Sequence, residues 1–288
     1  MRRKKSKLNF ASERQTRAKR LRAFVISFVA FILVFGTVSI LVFMKSLDFN
    51  LDNLIRQPQD STEQSTDTTQ APTIAAAPVN ATTLFVCYGD DDMILQLSLV
   101  CTNAEENSIM VATLDPFTSV TVNSTGNTFQ GWFQTTGING LLQAVETNTQ
   151  LKIDRYIKQS ESNLKKVITK VGDITVDIPQ AISYRGTDFS LFLESGQQKL
   201  TGDLFIKYLQ YAGTEEQENA VCALLRQTLQ AFTEENLDTM FNYIFNLSES
   251  NFSVMDYADT NGLVRVYLSM RGKIEPATLE AIAQRGDT

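Results

Sequence analysis

Three consecutive carboxylates, Asp90-Asp91-Asp92, follow Gly89 between two strand-like runs. Carboxylates gathered on one turn can hold a hard divalent cation, because such ions take oxygen ligands. Gly-Asp-Asp between strands is also an ordinary solvated hairpin turn, since these residues adopt the angles that a tight reversal needs. The chain has no histidine, which excludes Ser-His-acid and Cys-His mechanisms and His-ligated zinc. Cys87, Cys101 and Cys222 lie in apolar segments without CxxC spacing and read as buried thiols. In a hairpin turning at Asp90 and Asp91, Cys87 faces Ile94 and not Cys101. Ser160 and Thr201 open helical patterns and read as N-caps, because no base is present to activate either hydroxyl. Phe129, Trp132 and Phe133 beside Gly131 can line a lipid or sugar pocket, although such aromatic groups more commonly belong to a core.

Charge is distributed unevenly. No Lys or Arg occurs between Arg56 and Lys152, and phosphate chemistry draws on such cations. The cations left for an anion are Arg155, Arg185, Lys207 and Arg226. Residues 1–22 hold ten Lys/Arg against the single Glu13, so with a whole-chain charge of −6 the remainder carries −15. An acidic surface of this kind repels nucleic acid and anionic membrane faces.

These residues need elements to position them. Ala23 to Met44 contains no charged residue. About 20 apolar residues cross a hydrocarbon core of about 30 Å, with the basic flank in the cytoplasm. The downstream flank, Met44-Lys45-Ser46-Leu47, lacks a small-x-small cleavage pattern. The expectation is therefore a cytoplasmic basic tail at 1–22, an uncleaved transmembrane signal-anchor at 23–44 and an extracytoplasmic remainder at the cell membrane. Residues 45–82, rich in Ser, Thr, Gln, Asp and Ala, read as a flexible stalk. Residues 83–288 form one domain.

Within that domain, Thr83 to Tyr88, Met93 to Cys101, Ser108 to Leu114 and Ser119 to Val122 read as an antiparallel set of strands, since the connections are too short for crossover helices. Leu95, Leu97, Leu99 and Cys101 form one stripe of the second. Helical stripes follow at Ile138 to Val145 and at Leu164 to Val171, the latter stopping at Gly172. Ile174 to Ile178 reads as a strand, Thr201 to Tyr211 and Gln217 to Phe232 as helices, and Thr233 as the N-cap of a helix running to about Asn246. Val264, Val266 and Leu268 alternate as a strand, and Pro276 to Ala283 closes the chain as a helix. The expected class is α/β (α+β), a central mixed sheet flanked by helices.

Several segments carry a resemblance. Leu193-Glu-Ser-Gly-Gln-Gln-Lys-Leu-Thr-Gly202-Asp-Leu-Phe-Ile-Lys-Tyr208-Leu, Ile153-Asp-Arg-Tyr-Ile157, Val171-Gly-Asp-Ile-Thr-Val176 and Arg226-Gln227 are similar, in order, to segments of the LytR-CpsA-Psr (LCP) family. That resemblance implies a membrane-anchored, extracytoplasmic protein that moves a glycopolymer from a polyprenyl-pyrophosphate lipid onto peptidoglycan. It also implies an apolar lipid pocket between sheet and helices, arginines on the pyrophosphate and aspartates on magnesium. A metal ion and guanidinium groups neutralise the charge that builds up during phosphoryl transfer. The family's P-R-D-T strand end is Pro116-Phe117-Thr118-Ser119 here, and its Y-V-R-x-R run is Tyr208-Leu209-Gln210-Tyr211-Ala212. Of the arginines carried over, Arg226 alone remains as a pyrophosphate contact, with an ion pair to Glu218 as its competing role. Asp91 and Asp92 are the metal candidates, Asp92 matching the family's serine-aspartate pair most closely.

The resulting expectation is a catalytically degenerate LCP-like protein of cell-envelope assembly that binds a polyprenyl lipid, a wall glycopolymer or an active LCP paralogue. Two alternatives accompany it. One is a magnesium-dependent phosphotransferase using Asp91, Asp92 and Arg226; the other is an acidic protein-interaction module.

Overall fold

A computed structural model describes residues 79–285. The basic tail, the apolar span 23–44 and the stalk up to residue 78 lie outside the described residues. Among the described residues no helix is long and apolar enough to cross a membrane.

The chain runs β1 (Thr82–Tyr88), a short 3₁₀ turn (Asp90–Asp92), β2 (Ile94–Asn103), β3 (Ser108–Thr113), the hairpin β4 (Ser119–Val122) and β5 (Thr125–Thr128), α1 (Phe129–Thr149), β6 (Arg155–Ser160) and α2 (Glu161–Val171). It continues through β7 (Ile174–Ile178), the hairpin β8 (Ile182–Arg185) and β9 (Ser190–Leu193), β10 (Gly196–Leu200), α3 (Gly202–Tyr211), α4 (Thr214–Gln230) and α5 (Leu237–Asn246). The last elements are β11 (Glu249–Ser250), α6 (Met255–Ala258), α7 (Leu263–Ser269), β12 (Ile274–Pro276) and α8 (Leu279–Gln284).

Six strands form the central sheet in the order β11-β6-β1-β2-β3-β12. β1 is parallel to β6 and β3 to β12, while β2 is antiparallel to both of its neighbours. β1, β3, β6 and β12 therefore share one direction, and their carboxyl ends share one edge. Loops at such an edge are where open α/β sheets carry their sites. Both faces are covered. Leu84, Val86, Leu97 and Leu99 pack with α1, its Phe129 included, on one side, and Val100, Ile109 and Val111 pack with α2, α3 and α4 on the other.

Local signals explain most boundaries. Ser160 caps α2 by accepting from the Asn163 N–H at 3.3 Å, and Thr201 caps α3 by accepting from the Leu204 N–H at 3.5 Å. Gly172, at φ 98°, follows α2 where a side chain would be strained. Phe129 and Phe133 are buried, and the Trp132 indole donates to the Val120 carbonyl at 3.3 Å, so the aromatic group is core.

Four readings from the sequence need correction. Val264 to Leu268 is helical, because α7 buries Val264, Val266, Tyr267 and Leu268 together and the apparent alternation reflects only the single polar Arg265. Ser119 to Val122 does not join the main sheet but pairs with β5. The register slips between Cys87 and Tyr88, leaving Leu95 unpaired, so Cys87 faces Gln96 and Leu95 leaves the Leu97-Leu99-Cys101 stripe. α5 begins after Asn236, and the Thr233 hydroxyl accepts from the Asn236 N–H at 3.3 Å one turn early.

Candidate functional site

The edge at the carboxyl ends of β1 and β3 carries a cleft of about 320 Å³. Its sheet side holds Asp115, Pro116 and Phe117, the loop that follows β3, and its helical side holds Leu209, Gln210 and Ala212 from the end of α3. Two segments distant in the sequence therefore meet here. They are the segments in which the sequence resemblance places counterparts of the P-R-D-T and Y-V-R-x-R runs.

No Lys or Arg stands among the described residues lining this cleft, and Asp115 is its one charged group. The Asp115 carboxylate accepts from the Phe117 N–H at 2.9 Å, holding the turn. Gln96 lies behind, 1% exposed, its amide donating to Ser98 Oγ at 2.7 Å and Thr113 Oγ1 at 3.1 Å. Glu218 closes the side by accepting from the Thr113 N–H at 3.0 Å; burial raises its carboxyl and the hydrogen bond opposes that rise. The carboxylates of Asp115 and Glu218, with no cation among the described lining residues to offset them, disfavour an anion here.

Arg226 sits elsewhere. It lies eight residues beyond Glu218 on α4, about 12 Å along the axis, and its Nη2 donates to the Ile274 carbonyl on edge strand β12 at 3.0 Å. Neither Glu218 nor any other acid forms an ion pair with it among the described residues. The expected pairing with Glu218 is absent because Glu218 turns to the β3 backbone.

Asp91 and Asp92 are exposed on the 3₁₀ turn with φ of 54° and 52°. α1 holds their backbone, the Gln130 amide donating to the Asp92 carbonyl at 2.9 Å and the Gln134 amide to the Asp91 carbonyl at 3.1 Å. The turn thus belongs to the α1 face of the sheet and Arg226 to the opposite face, so the fold does not bring the two together. Among the described residues no three His, Cys, Asp or Glu side chains are grouped to hold a metal ion. A magnesium ion at this turn needs water and substrate oxygens for the rest of its shell, a common arrangement for that ion.

Lys158 is the cation that sequence reasoning missed. It lies on β6 opposite Val86, with its ammonium 5.3 Å from the Tyr88 ring centroid and 5.5 Å from that of Phe133. Burial depresses it, but the hydrogen bond and charge of Glu249, at 2.8 Å, outweigh burial, and Tyr88 and Asp92 add to the net rise. Finding it required the parallel pairing of β1 with β6, which no local pattern reveals.

A second cavity, of about 120 Å³, lies between the sheet and α4, α5 and α7. Phe85, Val100 and Ile157 form its floor, and Leu225, Phe245 and Phe252 are among the side chains over it. Thr83 and Tyr267 satisfy their own hydroxyls, Tyr267 donating to Thr83 Oγ1 at 2.8 Å, so the remaining surface is apolar. Dry cavities of similar size take small apolar molecules.

The profile of the LytR_cpsA_psr family matches residues 89–277. The chain belongs to the LytR_cpsA_psr family. B. subtilis TagV has a similar crystal structure, at 17% identity and a TM-score of 0.57, covering 69% of this chain and 84% of that one. A Eubacterium siraeum protein described as a transcription regulator matches at 18% identity and a TM-score of 0.60, covering 79% and 97%. TagT, in a structure bound to LIIa-WTA, matches at 13% identity and a TM-score of 0.54, covering 75% and 84%. At these identities the likeness is one of fold, and it agrees with the mixed sheet flanked by helices. Comparison with curated proteins gives no match. Within the LytR_cpsA_psr fold, this chain combines an apolar cavity with a cleft that holds no cation among its described residues.

Proposed function

We propose that this LytR_cpsA_psr protein is a single-pass bacterial membrane protein whose domain lies outside the cytoplasm and takes part in wall-glycopolymer assembly by holding a polyprenyl lipid without efficient phosphoryl transfer. One observation carries the reading: the cleft where Pro116-Phe117 meets Leu209 to Ala212 lacks Lys and Arg among its described lining residues, whereas an apolar cavity is present between the sheet and its helices. Pyrophosphate transfer needs cations at the transferring group, each charge-assisted contact contributing about 1.5–3 kcal/mol. Lipid retention needs only apolar surface. A cavity of about 120 Å³ admits part of a prenyl chain, so a longer tail requires α5 to move away from the sheet.

The opposing reading, a rearranged magnesium-dependent transferase, is favoured by the position of Lys158 close enough to Asp92 to feel its charge. Native mass spectrometry of the full chain in detergent, with polyprenyl pyrophosphate and magnesium, separates the two. Bound lipid recovered intact is the expected result. Conversion to the monophosphate, lost in Asp92→Ala, supports the transferase, and an absence of lipid binding overturns the proposal in favour of a protein-interaction role.

A further inference from the structure

Val254 and Met255, at the start of α6, are 61% and 64% exposed, and they follow closely on Phe252, which lines the apolar cavity. Their place in the fold is fixed from both sides. Ahead of them, Asn251 accepts from the Tyr156 N–H at 2.7 Å and donates to the Asp154 carbonyl at 3.3 Å. Beyond them, Asp256 takes the Arg155 guanidinium at 2.9 Å. Asp154 and Arg155 stand at the start of β6, where the Asp154 N–H donates to the Thr82 carbonyl at 2.9 Å and Arg155 pairs with Thr83. The turn that carries Val254 and Met255 therefore lies at the amino ends of β6 and β1, the edge opposite the cleft. Thr82 opens β1, so the chain enters the domain at this same edge. Val79 is also exposed there, its carbonyl accepting from the Thr102 hydroxyl.

Single exposed apolar side chains are ordinary, whereas grouped ones mark contacts with proteins or membranes. Here the group continues inward, because Phe252 and Thr83 carry it into the wall of the apolar cavity. The charges beside it nearly cancel. Lys152 stands 3.7 Å from Asp154 and Arg155 2.9 Å from Asp256, and the exposed Asp259 leaves the edge slightly negative. Such an edge suits neutral or zwitterionic headgroups and gains nothing from anionic ones. The chain outside the structure supplies the occupant. With 23–44 as a membrane span and 45–78 as a stalk, a coil of that length reaches about 30 Å root-mean-square, so the domain stays beside the bilayer at an effective concentration on the order of millimolar. Weak apolar contact is enough at that concentration.

We infer that the turn Ser253 to Met255 dips into the bilayer that anchors the chain, so that the cavity wall at Phe252 and Thr83 lies at the lipid surface. Apolar side chains seat in the boundary between headgroups and acyl chains, the depth that interfacial segments reach. The inference rests on the proposed anchor and deepens the proposed lipid binding: a prenyl chain leaving the membrane at this edge passes from acyl chains to Phe252 without crossing water. Phe117 is 62% exposed as well, but it lies at the carboxyl edge, the length of β1 away, about 20 Å.

The test is a depth measurement on the full chain in nanodiscs of zwitterionic lipid that hold one chain each. A polarity-sensitive fluorophore is attached to Met255→Cys or, as the control, to Phe117→Cys; Cys87, Cys101 and Cys222 are buried and stay unlabelled. The Met255→Cys label is expected to emit to the blue of the Phe117→Cys label and to be quenched by spin-labelled lipid, and Val254→Asp beside it to reduce that quenching. Equal quenching of both labels shows the fluorophore's own affinity for lipid and overturns the inference. A blue shift without lipid quenching points to a protein contact and overturns it too. A chain that fails to enter the nanodisc overturns the anchor and the inference together, whereas entry with the Met255→Cys label in water overturns the inference alone. The nanodiscs contain no polyprenyl lipid, so the result is independent of the lipid-retention assay.

Discussion

Replacing Arg155 by Met removes one half of a buried ion pair that ties β6 to α6. The Arg155 guanidinium grips Asp256 with Nε at 3.1 Å and Nη2 at 2.9 Å from Oδ1, and Asp256 also accepts from the Ser253 N–H at 2.7 Å and hydroxyl at 2.9 Å. Asp256 is 5% exposed, so in the variant its charge is left with the two Ser253 donors alone. Stranding a buried charge costs about 3 kcal/mol, which for a domain of this size is a fall in Tm of about 6–12 °C. The same pair flanks the apolar cavity, since Ile157 and Phe252 line it from the two segments that the pair joins. pH supplies a second handle. Burial pushes the Asp256 carboxyl up, but Arg155 and Ser253 outweigh it and hold the group below the ordinary carboxylate range. A depressed carboxyl stabilises fully above its unfolded value, about 3.9, and that contribution is lost as pH falls through the folded value. The gap between wild type and Arg155→Met is therefore widest near neutrality and closes on acidification. Thermal unfolding of the full chain in detergent at pH 7 and then in steps from pH 4 down to about pH 2.5, followed by circular dichroism, reads both effects. Adding Asp256→Leu to the variant should recover most of the loss, because an apolar pair strands no charge. A single variant within about 1 kcal/mol of wild type at pH 7, or a double variant as unstable as the two single changes added together, refutes the reasoning.

Gly202→Ala should destabilise the domain by about 1–3 kcal/mol, because a Cβ there would come within 2.9 Å of the Lys165 Cα on α2, a backbone atom that cannot swing aside; chemical denaturation checks it. Ser160→Ala removes the cap of α2 and should cost about 1 kcal/mol, measured in the same way. All three thiols should resist an aromatic disulfide reagent at pH 8 until denaturant is added, since Cys87, Cys101 and Cys222 are buried.

Elements whose signals are local were legible from the chain. α2 and α3 carry their caps and apolar stripes within a dozen residues, and β7 alternates cleanly, as ITVDI. The sheet order was not legible, because β6 reaches β1 and β12 reaches β3 only across long crossovers. α7 deceived because a short helix buried on several sides shows no 3.6 period. The cleft was partly legible: Pro116 to Ser119 and Tyr208 to Ala212 stood out, but their meeting at one edge is a property of the topology. Arg226 stood out by type alone, and its contact with Ile274, 48 residues away, places it on an edge that the sequence does not indicate.

The three thiols have a consequence for how this domain comes to exist. Burial pushes Cys222 up to about 12 and Cys87 higher still, so the nucleophilic thiolate is scarce at either position. Cys101 is shifted the same way, burial outweighing the pull of Arg285. Under the proposed location outside the cytoplasm, the finished fold therefore meets an oxidising medium with no accessible thiol to oxidise among Cys87, Cys101 and Cys222. Its maturation requires no disulfide catalyst, and only a chain still unfolded after export would be caught in a wrong crosslink. Folding faster than oxidation is then the protection, and the cell would see its failure as crosslinked aggregate rather than as lost activity.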